Sequence, residues 1–298
     1  MYAAVLHEFG QPPRHADVPE PRPRDGEVVV EVTAAAIHPV DRARAGGGHY
    51  ASPARLPAVC GVDGVGRLLD GTRVYFGAVR DPHGTMAARV PVPSWACAPV
   101  PDGLADTALA ALVNPGLAAW LPLTWRGRLA PGETVLVLGA TGVAGRLAVR
   151  LARALGAGRV VAAGRDPVAL ATVGADAVTG LSTVELAGAG PYDVVIDYLW
   201  GAPTEALLSI VDNPARLVQV GDGAGPRISL PAGRLRSCGL SLSGYGLGAA
   251  PPEVLVKGFG ELLSRVADLT VAVDPVPLAE VGRVWDKHRS GRRWVLIP

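Results

Sequence analysis

Val135-Leu136-Val137-Leu138-Gly139-Ala140-Thr141-Gly142-Val143-Ala144-Gly145 is the stretch that decides the fold. Thr134 to Leu138 is a short apolar run that reads as a buried strand. Glycines follow, and Val143, Leu147, Leu151 and Leu155 then fall on one helical stripe. Gly156 and Gly158 end that helix. A glycine string alone is a weak signal, because such turns also occur merely for packing. Between a buried strand and an amphipathic helix it gains a mechanism. Glycine lets the backbone approach a pyrophosphate, and the helix N-terminus presents free N–H groups and a positive dipole end to the anion. The turn therefore predicts a dinucleotide site, with Gly139, Ala140, Thr141, Gly142, Val143 and Ala144 as its contacts.

The kind of dinucleotide is read at the end of the next strand, Arg159 to Ala163. An NAD site places Asp or Glu there to bind the ribose hydroxyls. Here the chain reads Ala163-Gly164-Arg165-Asp166-Pro167. Arg165 can meet a 2′-phosphate with a planar fork, and Gly164 precedes it; an ordinary solvated arginine is the alternative. Asp166 would repel that phosphate, but Asp followed by Pro suits the N-cap and first turn of a helix beginning near Val168. NADP is favoured over NAD.

Outward from the turn, strands are predicted at Asp193 to Tyr198, Arg216 to Val220 and Leu240 to Tyr245, alternating with helical stretches. That is an α/β pattern and implies a parallel, doubly wound sheet. Ligands lie beyond the carboxyl ends of such strands, which adds Tyr198, Leu199, Val220, Gly221, Gly244 and Tyr245 to the cofactor contacts. Trp200 and Tyr245 either shape the pocket or pack. Before about Leu112 the chain is β-rich, with a strand at Glu27 to Val32 and too many Pro and Gly for long helices. Thr270 to Pro298 returns to short strands around one helix. Trp294-Val295-Leu296-Ile297 looks like a strand needing a partner, which suggests that it rejoins the first domain.

With 298 residues, 49% hydrophobic and 18% charged, the chain can bury a large core. A net charge of +1 gives no reason for a nucleic-acid partner. Cys60, Cys97 and Cys238 are scattered and contain no C-x-x-C, so neither a disulfide framework nor a structural zinc cage is indicated. No apolar run looks long enough to cross a bilayer, and the N-terminus lacks the plan of a signal peptide. The expectation is a cytoplasmic protein with no membrane partner.

Further motifs sharpen the reading: His38-Pro39-Val40-Asp41, Gly46 to Tyr50, Gly61-Val62-Asp63-Gly64-Val65-Gly66, Asn114-Pro115-Gly116-Leu117-Ala118-Ala119-Trp120, Pro131-Gly132-Glu133-Thr134-Val135 and the ending Gly291 to Pro298. With the glycine turn, they make nearly the whole chain resemble the medium-chain dehydrogenase/reductase superfamily, in its zinc-free quinone oxidoreductase and enoyl reductase branch. The resemblance implies a GroES-like β-rich catalytic domain, 1–112 with 267–298, beside a Rossmann NADP-binding domain, 113–266. It also implies NADPH-dependent hydride transfer to a quinone or to an alkene conjugated to a carbonyl, and commonly a homodimer.

Zinc-dependent relatives share this fold. The positions matching their ligands are His38, Val62 and the Asn114-Pro115-Gly116 region. Valine cannot bind a metal, and one histidine falls short of the three ligands a catalytic zinc needs, so no metal is expected. Cys60 is more simply a small core residue. Tyr50 matches a tyrosine that lines the cleft in this branch, and would donate a proton or orient the carbonyl, or else support the loop. His49 is read as solvent-facing. His38 stands where relatives often carry Asn against the nicotinamide ribose; its imidazole can make similar bonds or relay a proton, or be merely bonded to backbone. Asp41 would orient His38 or its turn. Ala118 departs from the frequent Thr whose hydroxyl contacts the cofactor. Two other readings stay open: a biosynthetic tailoring enoyl reductase, and a non-catalytic NADPH-binding redox sensor.

Overall fold

A computed structural model describes residues 1–100, 102–288 and 291–298. The chain forms two compact units, Met1–Asn114 with Thr270–Pro298, and Pro115–Leu269.

The second unit is an α/β sandwich around a six-stranded, all-parallel sheet. Its strand order is Ala177–Thr179, Arg159–Ala163, Thr134–Leu138, Val194–Asp197, Arg216–Gln219, Ser241–Gly244. The first three strands run outward one way and the next three the other, so the topological switch point lies beside Thr134–Leu138, where doubly wound sheets bind ligands. Central strands covered on both faces need unbroken apolar runs. Accordingly Val135 to Leu138 and Val160 to Ala163 are all buried. Helix Val143–Ala154 lays Val143, Leu147, Leu151 and the small Gly145, Ala148 and Ala152 inward.

The first unit is β-rich. Glu27–Ala36 is its central strand, pairing with Gly64–Leu68, Arg89–Pro93 and Arg292–Ile297, all antiparallel. Trp294 to Ile297 thus finds the expected partner: Val295 lies opposite Ala36, while the strand's other side takes Ala272–Pro277 in parallel. Leu6, Val30, Ile37, Phe76, Met86 and Trp285 fill the core.

Helix Asp106–Leu121 is not announced by the sequence pattern. It is apolar nearly all round and carries Pro115 inside, so no stripe marks it. The division between the units falls within it. The expectation that no run is long enough to cross a bilayer is corrected at this helix: by length and composition Asp106–Arg126 would qualify. With 72% of its apolar 18-residue window buried, it has the character of a core helix.

Candidate active site

In the second unit the glycine turn is shaped by close approaches. Gly139 sits at φ +85°, in the left-handed region that favours glycine. At Gly145 a Cβ would collide with the Gly139 carbonyl oxygen and stand 2.7 Å from Ala140 Cα, so helix and turn can meet only without a side chain there. The N–H groups of Gly139 and Ala140 both donate to the Ala163 carbonyl, at 3.0 and 3.1 Å, tying the turn to the neighbouring strand. Arg146 Nε donates to the Thr141 carbonyl at 3.1 Å and fixes its outer edge. The N–H groups of Val143, Ala144 and Gly145 open the helix with no main-chain acceptor among the described residues, which makes an anion cradle.

Gly164 continues this surface; a Cβ there would meet Leu170 at 3.3 Å and Thr141 at 3.6 Å. Arg165 is exposed, and its guanidinium makes no hydrogen bond or ion pair among the described residues. Asp166 caps the helix at Pro167–Leu170, accepting from the N–H groups of Val168 and Ala169 at 3.0 and 3.1 Å. The carboxylate beside Arg165 is therefore already engaged by its own helix.

The opposite strand ends behave differently. Asp197, fully buried, accepts from the N–H groups of Leu199 and Trp200 at 2.8 and 2.9 Å and from the Thr204 hydroxyl at 2.6 Å. Burial pushes its carboxyl up, partly countered by these donors. It holds a turn in which Trp200 takes φ +55°, an unusual value for a non-glycine residue. Sequence reading passes over Asp197 because an acid closing a buried strand looks like any strand end. Leu199 lies under Gly139. The Val220 and Gly221 N–H groups donate to the Asp197 carbonyl, at 2.8 and 3.2 Å. Gly244 is exposed at the end of the edge strand.

The two tyrosines expected beside the cofactor are tied to the protein itself. Tyr198 Oη donates to the Ala118 carbonyl at 2.9 Å, and Tyr245 Oη to the Leu117 carbonyl at 3.2 Å. Burial holds both phenols well above the ordinary tyrosine range, and Tyr245 adds to the effect on Tyr198.

The first unit gathers the polar residues of three motifs. His38 is 1% exposed, and its Nε2 lies 3.2 Å from Asp63 Oδ1. Asn114 Nδ2 donates to Asp63 Oδ2 at 2.5 Å, and the Thr85 hydroxyl donates to the Asp63 carbonyl at 2.7 Å. His38 Nδ1 is buried with no hydrogen-bond partner among the described residues. Asp41 Oδ2 accepts from the His38 backbone N–H at 2.7 Å. Asp41 thus orients the turn, and it is Asp63, not Asp41, that meets the imidazole. The acid in Gly61-Val62-Asp63-Gly64 is the available signal for this partner. Burial pushes the Asp41 carboxyl up to about 6, opposed by His38 and reinforced by Asp63. Cys60 is buried, its thiol pushed up to about 12 by desolvation, as befits a core residue. Tyr50 is 87% exposed, its ring tilted against His49 at 4.1 Å, and His49 Nδ1 accepts from the Ala51 N–H at 3.1 Å. Tyr50 therefore stands apart from the buried His38 network in its exposure.

No family model matches the chain. Among solved structures, a quinone oxidoreductase of Thermus thermophilus, also determined in complex with NADPH, is 31% identical over the whole of both chains with a TM-score of 0.85. The chain belongs to the quinone oxidoreductase branch of the medium-chain dehydrogenase/reductase superfamily. A probable NADPH-dependent quinone reductase of Emericella nidulans aligns with this oxidoreductase end to end in both proteins, at 29% identity. A phenolphthiocerol/phthiocerol polyketide synthase of Mycobacterium tuberculosis matches 74% of the chain at 30% identity, through only 11% of that much longer polypeptide. His38 and Ala118 both have partners that lie far away in sequence, Asp63 and Tyr198.

Proposed function

We propose that this member of the quinone oxidoreductase branch uses NADPH to reduce a quinone or an alkene conjugated to a carbonyl, without zinc. The observation that carries the reading is the cradle at Gly139–Gly145: close backbone, N–H groups open at the helix start, and an exposed Arg165 whose neighbouring acid is capping a helix. The N–H groups of Val143, Ala144 and Gly145 would hold the diphosphate, and Arg165 would supply the charge for the 2′-phosphate. Gly164, Leu199, Val220, Gly221 and Gly244 form the surrounding surface. Tyr198 and Tyr245 act through the helix turn that they hold.

When bound, NADPH supplies the hydride. On the substrate side His38 is the proton-holding group. Asp63 accepts from Nε2–H, Asn114 occupies the second carboxylate oxygen, and Nδ1 is the nitrogen left to take or give a proton. Asp41 fixes the turn. Tyr50 is assigned to orienting the substrate carbonyl from the surface. Zinc independence is supported by the donor set at the matching positions: one imidazole already engaged by a carboxylate, a valine at 62 and an amide at 114. A quinone or enone delocalises the incoming charge, so hydrogen bonds to its oxygen suffice where a simple ketone needs a Lewis acid.

The polyketide synthase match supports a second reading, a tailoring enoyl reductase acting on a conjugated thioester. A cytoplasmic location and a homodimer complete the proposal; the exposed edge strand Ser241–Gly244, with Leu242 outward, supports a second copy as partner. The test is NADPH oxidation by purified protein with 1,4-benzoquinone, cyclohexenone and a crotonyl thioester, each with and without 1,10-phenanthroline. Turnover insensitive to the chelator is expected with at least one acceptor, and the preferred acceptor separates the two readings. Tight NADPH binding with no turnover would replace them with a redox-sensor role.

A further inference from the structure

A groove of about 580 Å³ lies within the second unit, between the end of helix Asp106–Leu121 and helix Pro252–Leu263. Its size is that of a small-molecule site, and nothing in the nucleotide-binding surface accounts for it. Its lining has two chemistries. One part is apolar and aromatic, with Leu121, Leu155, Val254 and Trp125, whose ring carries the Arg126 guanidinium at 3.8 Å. The other part is charged, with Arg128, Lys257 and Arg265 against one acid, Glu261.

That acid is already engaged. Glu261 Oε2 accepts from the Trp120 indole N–H at 3.0 Å, and Lys257 lies 3.9 Å from its other oxygen. Arg265 sits over the Trp120 ring at 5.3 Å, and neither it nor the Arg128 side chain has a carboxylate partner among the described residues. The groove therefore presents excess positive charge above indole and aliphatic surface.

The backbone around it is unusually determined. Pro122–Arg126 forms a π-helical turn, closed by the Gly127 N–H on the Pro122 carbonyl at 2.7 Å. Such turns recur at functional sites. Arg128 follows at φ +46°, in the left-handed region, its carbonyl held by Arg216 at 3.0 Å. On the other wall, Gly258 permits the two helices to close: a Cβ there would stand 2.6 Å from Leu121 Cδ2.

We propose that this groove is a second ligand site, distinct from the nucleotide cradle, for an aromatic carboxylate. The ring lies on the apolar lining beside Leu121 and Trp125, and the carboxylate meets Arg265 and Arg128, with Lys257 adding charge.

The probe is 2-naphthoate, titrated by calorimetry into the full-length protein already saturated with NADPH, with neutral 2-naphthamide as comparison. Saturation with NADPH blocks the nucleotide cradle. The expected result is one naphthoate per chain, with naphthamide about tenfold weaker. Arg265→Glu should weaken naphthoate by roughly tenfold and leave NADPH affinity unchanged. Lys257 is largely exposed, so Lys257→Glu tests the same charge with the fold intact and should weaken naphthoate in the same direction. Absence of binding up to about 1 mM, binding only when NADPH is left out, or naphthoate affinity in both variants equal to that of the unaltered protein would each overturn the assignment.

Discussion

The phenol of Tyr198 donates to the carbonyl of Ala118 at 2.9 Å. In a regular helix that carbonyl would be served by the N–H four residues on, but residue 122 is a proline and has none. Tyr198 therefore stands in for a missing helical donor. Tyr198→Phe should destabilise the protein by about 1–2 kcal/mol, the cost of leaving a part-buried carbonyl without its donor. In a Pro122→Ala background, which restores an N–H, the same substitution should cost less. Denaturant melts of the four proteins in this cycle measure the coupling, and strict additivity would remove the explanation.

Gly145→Ala drives a methyl group into the Gly139 carbonyl oxygen and to 2.7 Å from Ala140 Cα. Because the obstacle is backbone, the turn itself must move. A loss of about 2–3 kcal/mol in stability is expected, with NADPH affinity falling in parallel. An unchanged melting temperature and NADPH affinity would show that the turn is looser than its geometry implies.

Arg165→Ala should weaken NADPH by roughly 10- to 100-fold, the worth of a charge-assisted bidentate contact, and leave NADH nearly unchanged. Fluorescence titration with both nucleotides reads the ratio. Equal losses would dismiss Arg165 as the 2′-phosphate contact.

Asp41 titrates at about 6 when folded, against an ordinary aspartate value of 3.8. Between those values the folded protein binds a proton that the unfolded chain has released, so stability falls as pH rises through this window and levels off above it. The difference amounts to about 3 kcal/mol. Asp41→Asn retains an oxygen for the His38 N–H and has no charge to bury. The slope of melting temperature against pH between about 4 and 6 should therefore flatten in the variant.

Asp63→Asn replaces the carboxyl group that faces His38 Nε2 at 3.2 Å. Nitrogen-15 NMR should then show His38 losing its single tautomer, and kcat should fall by about 10²-fold with little change in the KM for NADPH. A fixed tautomer in the variant would mean that Asp63 does not position the ring.

The glycine turn and its flanking strands were readable because their signals are local. Strands Thr134–Leu138 and Arg159–Ala163 end where the apolar runs end, and the Asp166 cap lies within three residues of the N–H groups it serves. The cluster around His38 was less so. Asp63 lies 25 residues from His38, and Asn114 a further 51 from Asp63, so their meeting depends on pairing that no window of sequence contains. Asp41, only three residues from His38, was the natural candidate and turned out to hold the backbone instead. Helix Asp106–Leu121 escaped because a helix buried all round shows no periodic stripe.

The order of apolar runs, glycines and caps by itself determined an α/β chain with a parallel sheet and a glycine turn opening a helix, since each depends on contacts between residues near in sequence. Only the tertiary structure decided that Asp63 faces the imidazole, that Tyr198 and Tyr245 serve helix carbonyls, and that charged and indole side chains line a second groove. Those pairings are fixed by how strands and helices pack across long loops, and side chains brought together in that way leave no pattern along the chain.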